Sequence, residues 1–252
     1  PRRIANGIMM NKPIVTQDNT WLFPCAIWRD ESGSVPAERH GLENEQFSNV
    51  YASTDEGKTI VLRGHADVPM RSFDEHMIVQ KKDGTLWMLV RTFDGLGESF
   101  SSDGGFTWTP GHKSHIDNPC SRFFIRRLKS GRLLMINHYN FDQRIDLDDI
   151  MHQGNVKRWK GRSHLTAMLS EDDGETWPYT LLLDERDEVS YPDAKEADDG
   201  FIYVCYDHAR VTEREILMAR FTEEEILNGK LSNPESKLRV LVNKALGQPD
   251  VE

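Results

Sequence analysis

The sequence predicts an all-β chain of repeated, four-stranded antiparallel sheets. Two repeated features carry this reading. The first is a polar motif, Ser-x-Asp-x-Gly-x-Thr-Trp, present as STDEGKTI (Ser53 to Ile60), SSDGGFTW (Ser101 to Trp108) and SEDDGETW (Ser170 to Trp177). The second is a tight turn between short apolar strands ahead of each copy: IVTQDNTWLFP, MIVQKKDGTLWMLV and FIRRLKSGRLLMIN. A fourth such hairpin, DAKEADDGFIYVCY, lies near Gly200. Asn, Asp and Gly suit the positive φ angles of tight hairpins, so each is expected to be a two-residue turn. Sheets repeated in this way read as propeller blades, about four of them. No long helical pattern interrupts them.

Each further element follows from the spacing. Asp55 to Asp103 is 48 positions, whereas Asp103 to Asp172 is 69. The longer step carries an insertion, FDQRIDLDDIMHQGNVKRWKGR, which is charged and poor in strand pattern. After Asp207 the texture changes to a strand, EILMARF, and a short helical turn, TEEEIL. Thr222 followed by Glu225 fits a capping box at the start of that turn.

The length allows one large domain or two small ones, and the repeats read as a single domain over residues 1–252. Of the 252 residues 38% are hydrophobic, enough for a sizeable core, and 29% are charged. No apolar run approaches the roughly 18 residues of a membrane helix, so no membrane insertion is expected. The N-terminal stretch has no signal-peptide pattern. A net charge of −10 argues against nucleic acid and anionic membranes as partners. It leaves room for an anionic small molecule held by a local arginine cluster. Cys25, Cys120 and Cys205 form no CxxC pair and no disulfide framework, and at most one bridge.

The polar motif itself is read as a turn. A calcium loop needs oxygen ligands alternating over about twelve positions, and each copy fixes one Asp. A phosphate loop needs GxxxxGK[ST], and no copy fits. Turn chemistry accounts for every fixed position: Asp accepts backbone N–H bonds, Gly takes positive φ, Ser and Thr add local bonds, and Trp packs between sheets. No cofactor and no metal are expected. His112 and His115 in GHKSH have no third ligand nearby and read as a surface loop.

The three copies resemble the Asp-box, or bacterial neuraminidase repeat, of the sialidase superfamily. The resemblance implies a β-propeller of the sialidase type, six-bladed in that family, with the N-terminal blades absent from this chain. It also implies site residues. In DEHMIVQKKDGTLWMLVR, Glu75 opens one strand and Arg91 ends the next, 16 positions on. Sialidases similarly place there a catalytic Glu and one arginine of a carboxylate-binding triad. In GRSHLTAMLSEDDGETW, Arg162 leads into the strand before the third box, as another triad member does. In SYPDAKEADDGFIYVCYD, Tyr191 matches the nucleophile, and Asp207 falls where the family has a Glu that braces an arginine. Arg122, in NPCSRFF, starts an inner strand and is a further candidate for substrate binding.

The chemistry explains the set. A sialic acid carries a carboxylate on its anomeric carbon, which arginines bind by charge-assisted, bidentate bonds. That carboxylate would repel an anionic nucleophile, so a neutral Tyr is the better attacker once a base takes its proton. Glu75 is expected to be that base for Tyr191. The implied activity is that of a retaining exo-sialidase acting on a terminal sialic acid or related acidic sugar. A same-fold hydrolase for a uronic or other acidic glycan, and a non-catalytic carbohydrate-binding propeller, are the alternatives. The resemblance favours a secreted or periplasmic location.

Other polar residues near strand ends are Arg71, Asp74, His76, His138 and His208; His76 is expected to be structural. The departures from the family are specific. Its Arg-Ile-Pro motif and acid–base aspartate are not recognisable here, Lys12-Pro13 being a weak counterpart and Asp18 and Asp30 unsupported candidates for the acid. The first box ends in Ile60 instead of Trp, and Pro192 follows Tyr191 where a small polar residue is common.

Overall fold

A computed structural model describes residues 2–28, 41–141 and 161–246. The chain divides into two compact units, Pro1–Cys120 and Ser121–Glu252. Each holds two four-stranded antiparallel sheets.

In the N-terminal unit, the first sheet runs β1 (Ile14–Val15), β2 (Trp21–Ala26), β3 (Ser48–Ser53) and β4 (Val61–Ala66) in chain order. The second is β5 (Met77–Gln80), β6 (Leu86–Arg91), β7 (Leu96–Ser101) and β8 (His112–Lys113). In the C-terminal unit, β9 (Phe124–Arg127), β10 (Leu133–His138), β11 (Leu165–Ser170) and β12 (Tyr179–Asp184) form one sheet. The other is β13 (Val189–Glu196), β14 (Phe201–His208), β15 (Glu215–Thr222) and β16 (Lys237–Lys244). The expected insertion falls between β10 and β11, and its residues 142–160 lie outside the described residues.

The inner strands read as near-continuous apolar runs because both of their faces are covered; β3, β6, β10 and β11 are buried throughout. In the N-terminal unit, Leu22, Val50 and Ala52 of the first sheet share one core with Ile78, Leu86, Met88 and Val90 of the second. Of the fourth strands, β4, β8 and β16 are largely exposed.

The hairpins correct one expectation. They are three-residue loops, not two-residue turns. Backbone N–H groups of Thr16, Lys81, Leu128 and Ala197 donate to the carbonyls of Thr20, Thr85, Arg132 and Phe201. In each loop the third residue is left-handed: Asn19 (φ 63°), Gly84 (φ 92°), Gly131 (φ 89°) and Gly200 (φ 83°). Its N–H closes a turn three residues back, at 2.9, 3.0, 3.0 and 3.4 Å respectively. This is a type I turn followed by one left-handed residue, which meets the strand twist with a single positive-φ position.

The repeated polar motif forms the turn between the third and fourth strands of the first three sheets, with the expected chemistry. The Asp103 carboxylate accepts bonds from the Ser101 hydroxyl (2.8 Å), Phe106 N–H (3.0 Å), Thr107 N–H (3.0 Å) and Thr107 hydroxyl (2.6 Å). Asp172 repeats this with Ser170 (2.7 Å) and Thr176, and Asp55 with Ser53 (2.8 Å) and Thr59 N–H (2.8 Å). Trp108 packs on the shared core. The loop also leans on the preceding sheet: a Cβ on Gly64 of β4 would sit 2.3 Å from the Gly105 carbonyl oxygen, so only glycine fits.

These bonds hold the carboxyls low. Thr176 and Ser170 outweigh a small desolvation effect and bring Asp172 to about 2, against an ordinary 3.8. The N–H of Thr59 and the Ser53 hydroxyl do the same for Asp55, also to about 2. A group with a depressed folded value contributes stability above its unfolded value and loses it as pH falls through the folded one. Asp172→Asn is therefore expected to lower Tm at pH 7, and the gap from the parent protein should close between about pH 4 and pH 2. A gap that stays constant across a thermal-melt series would remove this role.

The fourth sheet has the predicted helix α1 (Glu223–Asn228) where the others have the polar turn. Thr222 and Glu225 form the expected reciprocal capping box, and left-handed Gly229 closes the helix. The strand after it, β16, was not anticipated. All three cysteines are free thiols.

Candidate functional site

Strand order gives each sheet two distinct ends. The three-residue hairpins and the polar turns share one end; the connection between the second and third strands lies at the other. Glu75 precedes β5, Arg91 ends β6, Arg122 precedes β9, Arg162 precedes β11, Tyr191 opens β13 and Asp207 sits near the end of β14. All six occupy the end of their own sheet away from the polar turns.

In the N-terminal unit, Glu75 and Arg91 form a fully buried ion pair, Nη1 to Oε2 at 2.6 Å, with both side chains 0% exposed. The Arg91 guanidinium also lies 5.1 Å from the Phe73 ring centre and 3.7 Å from the Cys120 sulfur. Ahead of Glu75 the backbone takes two successive left-handed residues, Phe73 (φ 61°) and Asp74 (φ 46°). Asp74 is bound by Arg71 Nε (2.9 Å) and the Ser48 hydroxyl (3.1 Å), so Arg71 and Asp74 fix this loop. His76 is structural, as expected: its ring nitrogens contact the carbonyl oxygens of Asp74 and Asn49, both at 2.8 Å, and burial pushes its pKa down.

The C-terminal unit gathers Arg122, Arg162, Tyr191 and Asp207. A bulge opposes Tyr191 and Pro192 to Tyr206 alone, between the pairs Ser190–Asp207 and Asp193–Cys205. Tyr191 sits there with φ 56°, a costly conformation for an aromatic residue and one that concentrates at functional positions. The Arg162 guanidinium lies 5.8 Å from its ring centre. Arg122 holds the bulge through the carbonyls of Pro192 (2.7 Å) and Tyr191 (3.5 Å). Asp207 accepts from the Ser190 hydroxyl at 2.6 Å.

Sequence reasoning missed Arg210. Its guanidinium stacks 4.2 Å from the Tyr191 ring centre, and it donates to the Asp207 carboxylate through Nε (2.9 Å) and Nη2. The available signal was its place three residues after Asp207, where β14 ends.

The remaining candidates make other contacts. His138 is buried, bonds the Ser163 carbonyl at 2.8 Å, and is pushed by burial to about 3, so it is neutral. His208 pairs with Glu215 across β14 and β15 at 2.8 Å. His112 lies 3.3 Å from Glu98. Asp18 is a turn residue of the first hairpin, binding the Thr16 hydroxyl and Thr20 N–H. Asp30 lies outside the described residues.

The chain is an all-β protein with four blade-like, four-stranded sheets among its described residues. The sequence model of the BNR repeat-like domain matches residues 1–204, and the chain belongs to that family. Among solved structures, it resembles a Hadza microbial sialidase, Hz136, with a TM-score of 0.54 and 21% identity over 78% of this chain and 34% of that one. The intramolecular trans-sialidase of Ruminococcus gnavus, in complex with oseltamivir carboxylate, gives 0.56 and 17% over 88% and 44%. The exo-β-1,3-galactanase of Phanerochaete chrysosporium, with galactose, gives 0.54 and 9% over 92% and 50%. The chain thus spans a third to a half of the length of these structures. No curated protein sequence matches it significantly.

Proposed function

We propose that this chain is part of a glycoside hydrolase that acts on a terminal sialic acid or a related acidic sugar. The observation that carries the reading is Tyr191, held in a left-handed conformation at a bulge with Arg122, Arg162 and Arg210 around it. The glycan-acting proteins of the same fold support the class of reaction. Arginines near a tyrosine suit a substrate whose carboxylate lies beside the reacting carbon. Tyr191 would attack the anomeric carbon as its proton passes to the base, and the departing glycosidic oxygen would take a proton from solvent water. Water would then cleave the glycosyl–tyrosine bond, retaining configuration; sialidases are the tyrosine exception among glycosidases. Glu75 is proposed as the base, and Arg91, Arg122 and Arg162 as residues of the carboxylate site, with Asp207 bracing it.

The test is hydrolysis of a fluorogenic sialoside, with a fluorogenic glucuronide and a neutral galactoside as controls. Tyr191→Phe is expected to lower sialoside turnover about 100-fold, the scale of a lost nucleophile or proton-transfer group. Unchanged turnover in both Tyr191→Phe and Glu75→Gln would sink the mechanism. Release from the glucuronide alone would move the substrate to uronic acids. Binding without turnover of any of the three would make this a sugar-binding propeller.

A further inference from the structure

We propose that Arg210 is a further anion-binding, specificity-determining residue of the Tyr191 site, aimed by Asp207 at the carboxylate of an acidic sugar. The inference rests on the reading of Tyr191 given above and adds a residue that neither the motif pattern nor the resemblance supplied.

Three observations carry it. First, the guanidinium is fixed. Nε and Nη2 both engage the Asp207 carboxylate, whose other oxygen accepts the Ser190 hydroxyl at 2.6 Å. Ser190 adjoins Tyr191 in the bulge, so one short segment sets both the ring and the brace. A guanidinium held along one edge loses little further freedom when it binds an anion along the other. Second, the side chain reaches solvent, with 51% of it exposed. Third, it lies closer to the Tyr191 ring than Arg162 does, 4.2 Å against 5.8 Å. A cation packed on that face is oriented by the ring itself. Asp207 is thus a positioning residue, and Arg210 is the group it presents.

The experiment titrates the full chain with free N-acetylneuraminic acid and with neutral N-acetylmannosamine, followed by ligand-observed NMR. Arg210→Ala is expected to weaken binding of the acid about tenfold or more, the scale of one lost charged hydrogen bond. It should not change the response to the neutral sugar. Arg210→Lys should recover part of the loss. Asp207→Asn should weaken the acid on its own and add nothing to Arg210→Ala. Circular dichroism of each variant separates misfolding from loss of the contact, and Arg210→Lys keeps the test decisive if the alanine variant is unfolded. Wild-type affinity in both Arg210→Ala and Arg210→Lys, together with loss in Arg162→Ala, would overturn the role of Arg210 and leave the proposed function standing. Absence of acid binding by the parent chain would overturn both.

Discussion

Arg91→Ala is expected to destabilise the N-terminal unit by about 3–5 kcal/mol, the scale for breaking a buried ion pair by removing one partner. Arg91 and Glu75 are both fully buried and 2.6 Å apart. Truncating the arginine would leave a carboxylate out of water with no cation opposite it, and would also remove the guanidinium from the face of Phe73. Removing both charges is a different matter. The double variant Arg91→Met, Glu75→Leu removes the unpaired ion, so it should lose much less than either single change. Urea unfolding of the parent, both single variants and the double variant would give the coupling as a double-mutant cycle. Additive losses, or a cost for Arg91→Ala below about 1 kcal/mol, would show that the pair does not hold this unit together. The cycle bears on function too. Turnover of Arg91 variants is interpretable only at temperatures where the N-terminal unit remains folded.

Glu225→Ala is expected to cost about 3 kcal/mol at neutral pH. Glu225, in the first turn of helix α1, is buried, yet it is a hub. It accepts from the N–H groups of Ser232 (2.6 Å), Asn233 (2.8 Å) and Thr222 (2.9 Å) and from the Ser236 hydroxyl (2.6 Å). Burial pushes its pKa up, but the bonds from Ser236, Asn233, Ser232 and Thr222 prevail and hold it at about 2, against an ordinary 4.5. Because the folded value lies below the unfolded one, the stabilisation is complete above pH 4.5 and fades as pH falls toward 2. The alanine variant should unfold at much lower urea at pH 7, and the two midpoints should converge near pH 2. Equal midpoints at pH 7 would mean that the loop of residues 230–236 is held by something else.

The sheets were legible because their signals are local. A left-handed Gly or Asn every blade, and an Asp that folds back on its own loop, are written in adjacent residues. The length of the hairpin loop was not legible in the same way. Asp83-Gly84 suits both a two-residue turn and the last two positions of a three-residue one, and only the closing pair Lys81–Thr85 decides. Strand β16 escaped because it is an outer strand, mostly exposed, and so lacks the apolar run that marked the inner ones. The candidate site was partly legible for a related reason. Tyr191, Arg162, Arg122 and Asp207 stand out at strand ends, and the fold gathers them within one unit. The bulge that turns Tyr191 left-handed leaves no mark in sequence. Arg210 is similarly hidden, since its importance comes from stacking on a residue 19 positions earlier. Glu75 and Arg91 read in the sequence as a base and a carboxylate-binding arginine, and that they form a buried ion pair with each other follows only from geometry.

The hairpins and the links at the opposite end of each sheet differ in how far their length varies. At the end that carries the hairpins, all four loops have three residues, and one added residue would turn a strand's inward side chains outward. At the opposite end, the links between second and third strands run from 27 to 47, 92 to 95, 139 to 164 and 209 to 214. Among the four sheets, length is uniform at the hairpins that set the register of the first two strands and varies in the links near the candidate residues. Segments of differing length can therefore be accommodated beside the candidate residues while the pairing that keeps each sheet in phase goes unaltered.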